Sequence, residues 1–443
     1  MKLDVQVSGK TVAALYRERD DYVLSYVGKV AAQDFVSLAM PVRAQPWVWP
    51  RDLHPFFRQN LPEGFLLNII REEFGRYMDG TDLSLLAVVG GYGIGRVTVT
   101  PEGAVAGADL KPLEIERLLT AETSTAQFAG LVREYARAAI SGAVPKFIAP
   151  EESSDDEVAV ATGKTTLRSA RHIVKGSDEA TPFLGFNEYY AMRVLDRMGV
   201  APVAKTRMSA DGRILIVDRF DVDDGGAVYG LEDACSLLGL PPHEKYVPSM
   251  ERVINAMREY LPSASRHQQL TQLGWLILTN FVVRNADCHA KNIALYYRDR
   301  SDVALTPAYD IVTTQAYPRF ADNTPGLSID GRKTWAPGKS LERFFNARLG
   351  IAPRDYVSMV ERVCDSAVDT GRELIEASNN EPRWRPIAKQ MLHAWNEGMA
   401  SLRSVRAEQK YKLLTADIQQ AGFSDPEPAE RPTVIGRPGP AKR

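Results

Sequence analysis

Nine consecutive residues without a charge, Trp275 to Val283, run directly into Arg284-Asn285-Ala286-Asp287-Cys288-His289-Ala290-Lys291-Asn292. A largely apolar run of this kind reads as the end of a buried element. The polar residues behind it must then sit on a loop anchored in rigid core, the setting in which catalytic side chains are best held. Asp287 and Asn292 have the D-x-x-x-x-N spacing of a phosphoryl-transfer catalytic loop, and Asp310, in Thr306-Pro307-Ala308-Tyr309-Asp310, stands where a second metal-binding aspartate belongs. In that chemistry the first Asp orients a substrate hydroxyl and takes its proton, while the Asn and the later Asp hold Mg²⁺ against the phosphates of ATP. Asp and Asn also favour loops because they cap helices and form Asx-turns, so the pair alone says little. The specific part is the set: Asp287, His289, Lys291 and Asn292, then an apolar run, then Tyr309-Asp310-Ile311.

Upstream, the order of elements fits the same chemistry. Short alternating runs at Leu3–Val7, Thr11–Tyr16 and Tyr22–Tyr26, separated by polar or glycine turns, predict a small β-rich unit. Apolar residues at helical spacing predict a helix over about Glu63 to Tyr77. Gly90-Gly91-Tyr92-Gly93-Ile94-Gly95 precedes a strand, Val97–Thr100, and no helix, so these are turn glycines rather than a phosphate loop. Ile140-Ser141-Gly142-Ala143-Val144-Pro145-Lys146-Phe147-Ile148 reads as strand, turn, strand, and the acidic stretch from Glu151 to Glu157 as a solvated loop. Gly163-Lys164-Thr165-Thr166 mimics the end of a Walker A motif, but Val158 replaces the required earlier glycine, so it is no P-loop. His172-Ile173-Val174-Lys175 is a short strand ending in a lysine able to hold ATP phosphates. A helix from about Asn187 to Met198 carries Glu188, which either pairs with Lys175 or faces solvent. Arg213–Val217 is a strand leading into Asp218, Arg219 and Phe220, a hinge whose backbone would meet the adenine edge, with Phe220 on the base or in the core. From Leu231 to about Gln420 helical periodicity dominates, and Ser424 to Arg443, rich in Pro, Gly and charge, reads as disordered.

Composition narrows the class. The 443 residues are 44% hydrophobic and 25% charged, which suits globular domains with a full core, and the length suits two or three of them. A net charge of -2 gives the chain no global reason to bind nucleic acid. Cys235, Cys288 and Cys364 are too far apart and too few for a disulfide framework or zinc site. Cys288, although inside the motif, reads as a small buried side chain. The first residues lack the apolar region of a signal peptide and no run approaches membrane-spanning length, so a reducing cytoplasm is expected, with no membrane contact.

Taken together these segments resemble the HipA family of toxin serine/threonine kinases. The matching stretches run through most of the chain: Phe56–Gly64, Ser141–Lys146, His172–Lys175, Asn187–Tyr190, Val217–Asp221, Leu231–Cys235, Leu238–Tyr246, Asp287–Asn292 and Leu305–Asp310. The resemblance implies an α+β, two-lobed protein-kinase-like fold. Its parts would be a small β-rich N-terminal subdomain (1–105), an ATP-binding region (106–230), a mainly α-helical catalytic lobe (231–423) and a tail (424–443). It implies Asp287 as catalytic base and Asn292 and Asp310 as Mg²⁺ ligands. Nucleotide contacts would come from Lys175, Asp218, Arg219, Phe220, Ser141, Gly142, Ala143, His289 and Lys291. Ser141 becomes the candidate self-phosphorylation site, and Ala139 occupies the position of a first serine in the family pattern. ATP and Mg²⁺ are the implied cofactors. The implied partners are a small helix-turn-helix antitoxin of the HipB type, DNA only through that antitoxin, and a protein substrate of the translation machinery such as an aminoacyl-tRNA synthetase. Two other readings stay open at this level: a catalytically silent corepressor, and a small-molecule kinase with a similar site.

Overall fold

The computed structural model describes residues 1–62, 78–104, 115–120, 165–168, 171–177, 179–336, 338–402 and 413–423, with scattered positions between 67 and 75 and between 127 and 133. The expected Ser141-Gly142-Ala143 turn, the acidic stretch from Glu151 to Glu157 and the tail from Ser424 lie outside the described residues. The fold is mixed α/β.

Strands β1 (Lys2–Val7), β2 (Lys10–Glu18) and β3 (Asp21–Tyr26) form an antiparallel meander, extended by β4 (Trp47–Pro50) and β5 (Val97–Pro101) in the order β4-β3-β2-β1-β5. The first turn is chemically determined: Val7 pairs with Lys10 and the two residues between, Ser8 and Gly9, both have positive φ (50° and 80°). That is the primed turn whose twist matches paired strands, and glycine adopts it without a Cβ penalty. The alternation read from the sequence is observed, with Leu3, Val5, Val7, Val12 and Leu15 buried together. After the one-turn helix α1 (Pro55–Arg58), helix α2 (Asp82–Val89) closes that core with Leu83 and Leu86. Its N-terminus is capped by Thr81, whose hydroxyl accepts from the Ser84 amide at 3.2 Å.

A second antiparallel sheet has the order β6-β7-β9-β8, from β6 (Thr165–Arg168), β7 (His172–Gly176), β8 (Thr206–Met208) and β9 (Ile214–Asp218). Thr165 and Thr166 thus lie in a strand, unlike the helix start of a P-loop. Helix α3 (Leu184–Asp196) packs on β9, three residues earlier at its start than the spacing predicts. Downstream come α4 (Met250–Tyr260), α5 (Arg266–Val282), α6 (Pro353–Asn380) and α7 (Arg385–Leu402). Helix α5 contains the uncharged run except its last residue, Val283, and Leu273 to Val282 are buried without a break. One large core joins α3 to α7.

The region from 231 onward is not helical throughout. Strands β10 (Gly230–Asp233), β11 (Ala294–Tyr297) and β12 (Ala304–Leu305) form a third sheet. Two to four residues are too few to outweigh the flanking helical periodicity, and their pairing is long-range.

This third sheet holds the N-terminal unit. Glu232, fully buried, accepts from the Leu38 amide at 2.6 Å, from the Ser37 hydroxyl at 2.8 Å and from the Tyr297 hydroxyl. Burial outweighs these hydrogen bonds and pushes its carboxyl up to about 7 from the ordinary value of 4.5. Because the folded chain holds this proton more tightly than the unfolded one, its stabilising contribution is complete below about pH 4.5 and is lost as pH rises through about 7. Glu232→Gln keeps an oxygen for Leu38 and Tyr297 and should remove this dependence. Thermal melts at pH 5 and pH 8 should show the wild type losing on the order of 3 kcal/mol relative to the variant. Parallel melting curves would disprove the assignment.

Candidate active site

Two groups of side chains meet where β7, α3 and the loop after α5 converge. The first centres on Lys175 at the end of β7. Its Nζ donates to Glu188 Oε1 at 2.6 Å and to Asp310 Oδ1 at 2.8 Å. Glu188, on α3, is fully buried, so the sequence-level choice between solvent and Lys175 falls on Lys175. The neighbouring Asn187 bolts the same helix to the chain beyond Asp310. Its Nδ2 donates to the Thr313 carbonyl at 3.0 Å and its Oδ1 accepts from the Thr313 amide at 2.7 Å. Trp395 on α7 donates its Nε1–H to the Thr313 hydroxyl at 2.7 Å.

The second group is the loop from Val283 to Asn292. Arg284 and Asp310 both adopt the left-handed backbone, at φ 55° and 57°. For a residue with a Cβ this costs roughly 1–2 kcal/mol, and it persists because neighbours over-determine it. Asn285 supplies much of that restraint: its Oδ1 accepts from the Asp287 amide at 3.0 Å, and its Nδ2 donates to Asn280 Oδ1 at 2.7 Å and to the Asp310 carbonyl at 3.3 Å. The Thr314 hydroxyl accepts from the Ala286 amide at 2.8 Å and donates to the Arg284 carbonyl at 2.9 Å. Gly326 backs directly onto this loop, and a Cβ there would stand 2.6 Å from the Cys288 carbonyl oxygen. Only glycine permits that approach.

Within this frame Asn292 donates its Nδ2 to the Asp287 carbonyl at 3.0 Å, which leaves Oδ1 as its atom for a cation. The Tyr246 hydroxyl donates to Asp287 Oδ1. His289 is buried with Nε2 3.9 Å from that same oxygen. The Lys291 carbonyl accepts from the Tyr309 hydroxyl at 2.8 Å. Burial, followed by the charges of Asp287 and Asp310, pushes the Cys288 thiol up to about 12, so it stays protonated and is no nucleophile.

The segment after β9 reaches the same place. Phe220 lies against Tyr309, ring centroids 5.5 Å apart. Arg219 holds Asp221 in a two-point ion pair at 3.0 and 2.6 Å, and Asp218 pairs with Arg207 at 3.3 Å. Lys175, Glu188 and Asp310 therefore come together, as do Asp287, His289 and Asn292, and Asn285 bridges the two sets. Sequence reasoning assigned no role to Asn187, Asn285, Thr313, Thr314 or Tyr246. Asn187, Thr313, Thr314 and Tyr246 act across long sequence separations that no local spacing marks, whereas Asn285 bonds Asp287 and Asn280 nearby and only Asp310 at a distance.

The donor set suits Mg²⁺ with a nucleotide. Asp310 and Asn292 offer hard oxygens, and Mg²⁺ is commonly held by one or two side chains plus phosphates and water. Among the described residues no three His, Cys, Asp or Glu side chains form a metal site by themselves. No helix among them is long and apolar enough to cross a membrane.

A chain folded this way has a solved counterpart. The toxin–antitoxin system HipA of Shewanella oneidensis MR-1, in complex with HipB and its operator DNA, superposes with a TM-score of 0.66 at 19% identity, covering 92% of this chain and 100% of that one. The match defines the fold class. At the sequence level the HipA N-terminal domain model matches residues 3–100 and the HipA-like C-terminal domain model matches residues 138–371. The chain belongs to the HipA family. Two curated relatives come from Sinorhizobium fredii (strain NBRC 101917 / NGR234). The protein called "Putative kinase Y4mE" is 31% identical over 66% of this chain and 71% of its own length. "Putative kinase Y4dM" is 24% identical over 84% of this chain and 89% of its own length.

Proposed function

We propose that this chain is a Mg²⁺- and ATP-dependent protein serine/threonine kinase with a two-lobed, kinase-like arrangement, the toxin half of a toxin–antitoxin pair acting on a protein of the translation machinery. The observation that carries the reading is the single ammonium of Lys175 held between buried Glu188 and Asp310. Together with Asp287 and Asn292 it supplies charged and polar groups of the kind that positioning-type phosphoryl transfer uses. Bound Mg²⁺–ATP supplies the phosphoryl group and neutralises its charge. The chain's own residues do the rest. Lys175 would bind phosphate oxygens, the Asp310 carboxylate and Asn292 Oδ1 would hold the cation, and the Phe220 segment would meet the base. Asp287 orients the acceptor hydroxyl and takes its proton. A corepressor that only binds would have no use for this arrangement.

Incubating the protein with γ-labelled ATP, Mg²⁺ and a bacterial extract tests this. Label should enter a discrete extract protein on Ser or Thr, and mass spectrometry of the kinase itself reports whether Ser141 takes phosphate. No transfer to any protein, with label instead on small molecules, would sink the protein-kinase reading.

The antitoxin partner is also proposed, prompted by the S. oneidensis complex. With a net charge of -2 the isolated chain should have only a small counterion-release term, the one behind most non-specific DNA affinity. In gel-shift titrations it should leave operator DNA unshifted until a small helix-turn-helix protein is added. Tight, steeply salt-dependent binding by the chain alone would refute this.

A further inference from the structure

We propose that Tyr246 is a positioning residue for Asp287, its hydroxyl holding the carboxylate in the orientation from which it receives the acceptor's proton. The inference rests on the reading of Asp287 as base. What points to it is how firmly a residue outside the catalytic motif is fixed against that one carboxylate. The Tyr246 hydroxyl donates to Asp287 Oδ1. The ring meets the His289 ring edge-on, centroids 5.0 Å apart at 75°. Its carbonyl accepts from Lys333 Nζ at 2.7 Å, and the carbonyl of Lys245 accepts from the Ala290 amide at 3.1 Å. One residue pair is thus tied to the Asp287 loop on one side and to the segment beyond Asp310 on the other. Just downstream, the Met250 amide donates to the Ser328 carbonyl at 2.9 Å, closing the same seam.

A tyrosine side chain has two main torsions, and here ring and backbone are both pinned, so its hydroxyl is a nearly stationary point. A carboxylate bonded to such a point samples fewer rotamers. Asn285 and Asn292 hold the backbone of Asp287, whereas Tyr246 holds its side chain. Proton acceptance requires a near-attack geometry, and misplacement by about 1 Å can cost on the order of 100-fold in rate.

Tyr246→Phe removes one oxygen and keeps the ring's packing. Label transfer from γ-labelled ATP into extract protein, at saturating ATP and Mg²⁺, should fall about 10- to 100-fold. The KM for ATP, the calorimetric affinity for Mg²⁺–ATP and the melting temperature should not move. In an Asp287→Asn background the same substitution should cost nothing further, which separates positioning from general support of the fold. A wild-type rate for Tyr246→Phe overturns the proposal, as does an equal loss in both backgrounds. Phosphate found on Tyr246 overturns it too, by making the residue an acceptor. Full activity of Asp287→Asn alone would instead remove the reading on which it stands.

Discussion

Asp287→Asn is expected to slow phosphoryl transfer by about 10²–10⁴-fold, the usual worth of a positioned acid–base group, while leaving the protein folded and Mg²⁺–ATP affinity unchanged. The separation follows from how the loop is built. Its backbone is held by Asn285, Thr314 and Asn292, none of which contacts the Asp287 carboxylate in doing so. Asparagine retains an oxygen for the Tyr246 hydroxyl, so the side chain keeps its seat and loses only its basicity. Initial rates of label transfer, set beside calorimetry and a melting curve on the same preparation, make the check. Wild-type rates in the variant would mean that another group takes the proton.

Lys175→Met should damage both stability and nucleotide binding, and the two effects can be separated. The lysine is the cation of fully buried Glu188. Removing one partner of a buried ion pair typically costs about 3–5 kcal/mol, because the remaining charge keeps its desolvation penalty without its counterion. Adding Glu188→Gln removes that charge and should recover most of the lost stability in urea titrations. It should not recover Mg²⁺–ATP affinity, since the phosphates still lack their ammonium. A folded Lys175→Met protein with unchanged Mg²⁺–ATP affinity would take Lys175 out of the nucleotide site.

The site is legible in the sequence to the extent that its chemistry is local. Asp287 and Asn292 are five residues apart on one loop, and that loop follows an apolar run whose composition alone signals its burial in α5. Asp310 and Lys175 are readable because each ends a short, strongly patterned segment. The partner of Glu188 is not, since a helix glutamate looks the same whether it faces water or a lysine thirteen residues upstream. The short strands β11 and β12 carry no signal for a related reason. Their stability comes from pairing with each other and with β10, and four or two residues hold too little periodicity to compete with the surrounding helices.

By itself the sequence determined the small β-rich unit at the N-terminus with its polar and glycine turns, the uncharged interior of α5, and the types of side chain available for catalysis. These depend on backbone preferences and on burial patterns of two or 3.6 residues, which act over a few positions. The tertiary structure alone decided that one lysine bridges two acids 122 residues apart, that Asn187 locks α3 to Thr313, and that Tyr246 meets Asp287. It also decided that a carboxyl at 232 is buried between the N-terminal unit and the third sheet. The physical reason is that hydrogen bonds and ion pairs depend on distance in space, and the chain brings these groups together only when its separate cores close around them.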